Sequence, residues 1–349
     1  MIKGSLLTGK NVLFRADLDV PLESGKVAND FRLQALLPTL KLCLENAQST
    51  LIIGHLGRPT GPDPSFSLKP VREWLERALN QSIFFISSGF SPGEWVRGQS
   101  PLAMFDNLRF HPSELSNDRE FAKQLSAGSD IYVYEAFAAY NEAASLRIIP
   151  EIIPTYPGLR FSAEVEELGN IVKNRVSPSL LIISGAKEDK VKYVDNLVDK
   201  FDEILVGGKL ASIISPHANI VPASLTPDGF DIDQASITLF SGKIMAAKSV
   251  VISGPLGRFE DGQHAAGTKA ILEAAKLSPA RRSLGEGGPA RVIIGGGDTL
   301  AAIPALGFSY ADFDFVSTGG GAMLEFLATG THPLLEVIKK QPYTPFSQK

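Results

Sequence analysis

Residues 291–306, RVIIGGGDTLAAIPAL, and 313–330, FDFVSTGGGAMLEFLATG, decide how this chain folds. Each opens with a short apolar run, reaches three glycines and passes directly into a helix-like stretch; the second of these stops at Gly330. The same rhythm recurs upstream in LLIISGAK (180–187), EILVGGK (203–209) and VVISGPLG (250–257). Continuous apolar strands alternating with helices imply parallel strands covered on both faces, so a doubly wound α/β fold is predicted. Ligands of such sheets lie beyond the carboxyl ends of the strands, where these glycines fall. The C-terminal half therefore reads as a nucleotide-binding domain.

The N-terminal half keeps the rhythm but carries charge at its strand ends. NVLFRADLDVP (11–21) has Arg15, Asp17 and Asp19, STLIIGHLGRP (49–59) has His55 and Arg58, LAMFDNLRFHP (102–112) has Asn107 and Arg109, and DIYVYEAF (130–137) has Glu135. Arg32 opens a helical pattern in NDFRLQALLPTLKLCL (29–44). Gathered in one crevice, Arg15, Arg32, Arg58, Arg109 and His55 would suit a small anion with more than one acidic group. A polar helix in GLRFSAEVEELGNIVKNR (158–175) joins the halves. The expected organisation is a domain over 1–158, a hinge helix over 159–176, a second domain over 177–335 and a tail over 336–349 that returns to the first. The Gly-, Pro- and Arg-rich segment 277–290 reads as a surface loop.

A length of 349 residues favours about two domains. With 44% hydrophobic and 21% charged residues, the chain has the composition of a globular protein with a sizeable core. Its net charge of -4 argues against a dedicated nucleic-acid binder. Cys43 is the single cysteine, so no disulfide framework or thiolate metal site is expected, and its apolar surroundings suggest a buried, inert thiol. The N-terminus lacks the layout of a signal peptide, and no run of 18 apolar residues occurs, so a cytoplasmic protein without membrane association is expected.

Seven motifs, in order along nearly the whole chain, resemble those of the phosphoglycerate kinase family: FRADLDVP (14–21), GHLGRP (54–59), FDNLRFHP (105–112), SGAKEDK (184–190), SGPLGRFE (253–260), GGGDT (295–299) and STGGGA (317–322). The resemblance implies two domains joined by a hinge and phosphoryl transfer between ATP and the carboxylate of 3-phosphoglycerate by a monomer. Such chemistry asks a protein for positioning and charge neutralisation. On the acid side it implies Asp17, Asp19, Arg32, His55, Arg58 and Arg109, with Arg32 close to the transferred group. On the nucleotide side it implies Lys187, Lys190, Gly207, Glu260, Gly295, Gly296, Gly297, Asp298, Thr299, Gly319 and Gly320. Lys187, Gly297 and Gly320 would share the transferred group with Arg32, and Asp298 would hold Mg²⁺ on the ATP or ADP phosphates. Plainer readings stand beside these: a solvated lysine for Lys187 or Lys190, a helix N-cap for Asp298, an exposed helix-start glutamate for Glu260, a core histidine for His55 and surface ion pairs for the arginines.

Several positions depart from the family pattern. AFAAYNEAAS (136–145) has Asn141 and Ala144 where the family has histidines, and Glu142 where it has an arginine for the distal phosphate. Asp19 replaces an asparagine, Lys209 a glycine and Ser253 an asparagine, while GLRFSAE (158–164) replaces the family's hinge motif. Lys187 and Lys190 stand three apart instead of four. About 50 residues usual in the family are missing between GGK (207–209) and FDIDQAS (230–236). Arg147 and Arg160 are candidates to replace the lost cation. A kinase of another small carboxylate and a non-catalytic nucleotide-binding homologue therefore stay open as alternatives.

Overall fold

The computed structural model describes residues 2–87, 100–185, 190–281 and 291–341. Lys187 and most of the 277–290 segment lie outside the described residues. The chain divides into two units, Met1–Ala163 with His332–Lys349, and Glu164–Thr331.

The first unit runs β1 (Asn11–Arg15), a hairpin of β2 (Leu22–Glu23) and β3 (Lys26–Val27), α1 (Phe31–Asn46), β4 (Ser49–Ile53), α2 (Lys69–Leu79), β5 (Phe84–Ile86) and β6 (Leu102–Phe105). It continues through α3 (Pro112–Leu115), α4 (Arg119–Ser126), β7 (Ile131–Tyr134), α5 (Ala144–Arg147), α6 (Ile149–Ile152), β8 (Thr155–Pro157) and the start of α7 (Leu159–Lys173). Six parallel strands pair in the order β5-β6-β4-β1-β7-β8. Every residue of β4, β6 and β7 is buried, which is why these strands read as continuous apolar runs and not as alternating ones. Val12, Phe14, Ile52, Met104 and Val133 form a core with Leu33, Leu36, Leu40 and Cys43 of α1 and Val71 and Leu75 of α2. Cys43 is fully buried there, and burial pushes its thiol up to about 12, so it is inert.

The second unit runs from the rest of α7 through β9 (Ser179–Ser184), α8 (Val191–Leu197), β10 (Glu203–Gly207), β11 (Ile220–Pro222), α9 (Gln234–Ala246), β12 (Ser249–Ser253) and α10 (Ala266–Leu277). β13 (Val292–Gly295), α11 (Gly297–Ala305), β14 (Phe315–Ser317) and α12 (Gly321–Thr329) complete it. Its strands are again parallel, in the order β11-β10-β9-β12-β13-β14. The winding changes direction between β9 and β12, which opens a crevice at their carboxyl ends. α9 packs on α10, and α12 on α8. The last helix, α13 (Pro333–Ile338), belongs to the first unit and packs on α5 and α6. Both units are thus α/β parallel-sheet domains. Among the described residues no helix is long and apolar enough to cross a membrane.

Candidate active site

At the carboxyl edge of the first sheet, cations converge on His55. Arg15, the last residue of β1, is buried; its Nε donates to Ser145 Oγ (3.2 Å), its Nη1 to the Ala16 carbonyl (2.7 Å) and its Nη2 to His55 Nδ1 (2.8 Å). A guanidinium can only donate, so His55 Nδ1 accepts and its hydrogen sits on Nε2. Burial, followed by the charges of Arg15, Arg109, Arg32 and Arg58, holds the imidazole well below its usual range, and it is neutral. Arg32 donates to the Asp19 carbonyl (2.7 Å) and lies 3.6 Å from Asp17. Asp19 accepts the Gly57 N–H (2.8 Å), and its other oxygen is 3.9 Å from both Arg32 and His55 Nε2. Its extra negative charge is therefore offset locally. Arg109 donates to the Gly57 carbonyl. Arg58 is exposed. Arg15, His55 and Arg109 line a pocket with Glu114, Tyr134, Asn141, Glu142 and Ser145.

In the second sheet the glycine turns of separate strands meet. Gly296, the N-cap of α11, has φ +112°, a conformation that favours glycine. A Cβ on Gly320 would sit 2.9 Å from Gly296 Cα, so only glycine lets the turns after β13 and β14 approach this closely. The Gly254 N–H donates to Thr299 Oγ1 (2.8 Å), which ties the turn after β12 to α11. Lys190 reaches back to the β9 end and donates to the Ser184 carbonyl (2.5 Å), with its Nζ beside Gly185 and Gly254 in the β9/β12 crevice. Gly207 and Gly208 close on Ser184 from the β10 side. Bare amides, a helix N-terminus and an ammonium at one sheet edge suit an anionic phosphate chain.

The sequence-predicted residues fall as follows. Asp17, Asp19, Arg32, His55, Arg58 and Arg109 gather at one edge, and Lys190, Gly207, Gly295, Gly296, Gly297, Asp298, Thr299, Gly319 and Gly320 at the other. Lys187 lies outside the described residues. Asp298 is exposed in the first turn of α11 and is not its N-cap. Thr299 is buried, its hydroxyl held by Gly254. Glu260 is exposed in a short 3₁₀ turn, Phe259–Asp261, that packs near α11. Neither candidate replacement arginine lines the acid pocket: Arg147 binds Glu142 (2.6 and 2.8 Å), and Arg160 lies over the Phe31 ring, 5.7 Å from its centroid.

Two supports were not foreseen from the sequence. Ser145 relays from Arg15 to the buried Glu114, donating from Oγ (2.5 Å) and its N–H (3.1 Å). Burial raises the Glu114 carboxyl despite Arg15 and Ser145. Glu164, fully buried, accepts both the N–H (2.7 Å) and the hydroxyl (2.9 Å) of Thr318, bracing the turn before the second glycine triplet. No local pattern marks either glutamate, because each partner comes from a distant part of the chain.

Comparison with known proteins agrees with the two parallel-sheet α/β domains. The family model for phosphoglycerate kinase matches residues 2–221 and 215–330. Phosphoglycerate kinases of Leifsonia xyli and Fervidobacterium nodosum are each 32% identical; the first match spans 95% of this chain and 97% of the relative, the second 92% and 93%. The Leifsonia alignment extends over 400 positions, more than this chain's 349 residues, so the relative has insertions that this chain lacks. The two family-model segments meet at 215–221, inside the region where the sequence reading places the missing residues. The structure of phosphoglycerate kinase from Coxiella burnetii superposes with a TM-score of 0.75 at 28% identity, covering 95% of this chain and 97% of that one. The Pyrococcus horikoshii enzyme superposes at 0.83 and 25% identity, covering 97% and 98%. The chain belongs to the phosphoglycerate kinase family, phosphotransferases whose acceptor is a carboxyl group.

Proposed function

We propose that this chain catalyses reversible phosphoryl transfer between ATP and the carboxylate of 3-phosphoglycerate, yielding ADP and 1,3-bisphosphoglycerate, as a cytoplasmic, monomeric enzyme of glycolysis. The observation that carries the acid side is the convergence of four arginines on a neutral His55. His55 offers an Nε2–H donor without a titrating charge, while Arg32, Arg58 and Arg109 supply the positive field that a doubly acidic substrate needs. Asp17 orients Arg32, and Asp19 orients Gly57 and Arg32.

On the nucleotide side, Gly295, Gly296, Gly297, Gly319 and Gly320 present amides to phosphate oxygens, and Lys190 supplies a cation beside them. Gly207 lets the β10 end approach the crevice, and Glu260 binds the ribose. Among the described residues no group of three or more acidic, His or Cys side chains could hold a metal ion. The donor set still fits Mg²⁺, which usually takes one or two carboxylates and completes its shell with phosphates and water. Asp298, exposed at the start of α11, is that carboxylate; Mg²⁺ bound there would neutralise charge on the nucleotide phosphates. Lys187, Arg32, Gly297 and Gly320 stabilise the group in transit.

A coupled assay with ATP, Mg²⁺ and 3-phosphoglycerate tests the reading. Saturable turnover is expected, with Lys187→Ala lowering kcat by about a hundredfold or more. Nucleotide binding with no turnover on this acid would overturn it. One observation favours a second reading, an acceptor without a distal phosphate: the pocket wall includes Glu142.

A further inference from the structure

The pocket that holds Arg15, His55 and Arg109 has a carboxylate on its wall. Both Nε (2.8 Å) and Nη2 (2.6 Å) of Arg147 meet the same oxygen of Glu142, Oε1. Its other oxygen accepts from Asn117 Nδ2 (3.3 Å). Arg147 is shared, because Glu336 stands 3.7 Å from its Nη1. Glu142 is 58% exposed and borders the pocket, whereas Arg147, 27% exposed, stands behind it and does not line the pocket.

A carboxylate in that place acts on a ligand in proportion to the ligand's charge. An acid with one anionic group finds Arg15, His55 and Arg109 and is little affected by a wall charge that Arg147 partly neutralises. A phosphorylated acid brings two further negative charges into the same small space and feels the wall as repulsion. We propose that Glu142 is a specificity-determining residue, which lowers the pocket's preference for a phosphorylated acid over its unphosphorylated counterpart, and that Arg147 sets the size of this effect by neutralising it. The inference rests on the acid pocket of the proposed function and concerns its selectivity.

Calorimetric titration with 3-phosphoglycerate and with glycerate, on the parent chain, Glu142→Gln and Arg147→Met, tests it without requiring turnover. Glu142→Gln is expected to bind 3-phosphoglycerate about fivefold tighter, the scale of a partly solvated ion, with glycerate affinity raised by less than about twofold. Arg147→Met, which exposes the unpaired carboxylate to the pocket, is expected to weaken 3-phosphoglycerate by a similar factor. High salt should shrink both effects. Matching melting curves establish that the variants fold. An affinity ratio between the two acids that Glu142→Gln leaves unmoved overturns the inference, even where the parent turns over 3-phosphoglycerate. A moved ratio in a chain that turns over no 3-phosphoglycerate upholds it while overturning the proposed reaction. Binding of neither acid by any of the three chains overturns both.

Discussion

A guanidinium has five donors and no acceptor, and that asymmetry determines what His55 can do. Arg15 uses three of its nitrogens on three different partners, and only one of them, the Ala16 carbonyl, is local. Ser145 lies 130 residues away and His55 lies 40. Lysine cannot reproduce this fork, since a single ammonium cannot reach all three acceptors in a plane. Arg15→Lys is therefore expected to free His55 Nδ1 and weaken acid binding by about tenfold or more. Nitrogen-15 NMR of the imidazole checks the first part: the parent should show the Nε2–H tautomer at neutral pH, and a mixed or protonated ring in the parent would contradict the assignment.

Among the elements, α7 has the least legible beginning. GLRFSAE offers no Ser, Thr, Asp or Asn at the position before Leu159, yet all four leading amides are satisfied. Leu159 N–H donates to Thr39 Oγ1 (2.9 Å), Arg160 N–H to Glu135 Oε1 (2.9 Å), Phe161 N–H to Glu135 Oε2 (3.0 Å) and Ser162 N–H to the Gly158 carbonyl (3.0 Å). Thr39 in turn donates to Glu135. The cap is supplied from α1 and the end of β7. Burial raises the Glu135 carboxyl from 4.5 to about 7, against the pull of Thr39, Phe161 and Arg160. The folded chain thus holds this proton more tightly than the unfolded one. Its contribution to stability is present below about 4.5 and is lost as pH rises through about 7. Glu135→Gln would remove that slope and set an amide NH₂ against a backbone donor, a cost of about 1–3 kcal/mol at neutral pH. Denaturant unfolding of both chains between pH 4.5 and 8 reads both effects; parallel curves would refute the linkage.

At the scale of the molecule, the chain returns to its first unit after building the second, and His332 fastens that return. Its Nδ1 accepts the Leu334 N–H (3.1 Å), so its Nε2–H donates to the Phe137 carbonyl (3.1 Å). The ring packs 5.2 Å from Phe137 and 4.9 Å from Phe161, centroid to centroid. Burial lowers its pKa from 6.5 to about 4. The unfolded chain therefore binds the proton first. The stability is present above 6.5 and is lost as pH falls toward 4, to a total of up to about 3 kcal/mol. Hydrogen exchange should register the loss as falling amide protection over 334–338 when pH drops from 7 to 4.5, after correction for intrinsic exchange rates. His332→Gln should flatten the stability change in that interval, and an unchanged pH dependence in this variant would exclude the mechanism.

Local chemistry made the strands, the turns and the residue types at their ends readable. Apolar runs such as LLIIS and RVIIG have to be buried on both faces, and glycine triplets have to turn where the backbone approaches a neighbour closely. These constraints act over a few residues, so they leave a pattern in order along the chain. Which charge meets which partner was decided only by winding. Sheet order β5-β6-β4-β1-β7-β8 brings Arg15 to His55 and Ser145 to Glu114, while β11-β10-β9-β12-β13-β14 brings Gly254 to Thr299 and Gly296 to Gly320. Glu135 over the α7 amides, Glu164 beneath Thr318 and Arg147 on Glu142 are of this second kind. A polar side chain names no partner by itself; the low dielectric of the interior obliges it to find one, and topology determines which lies within reach.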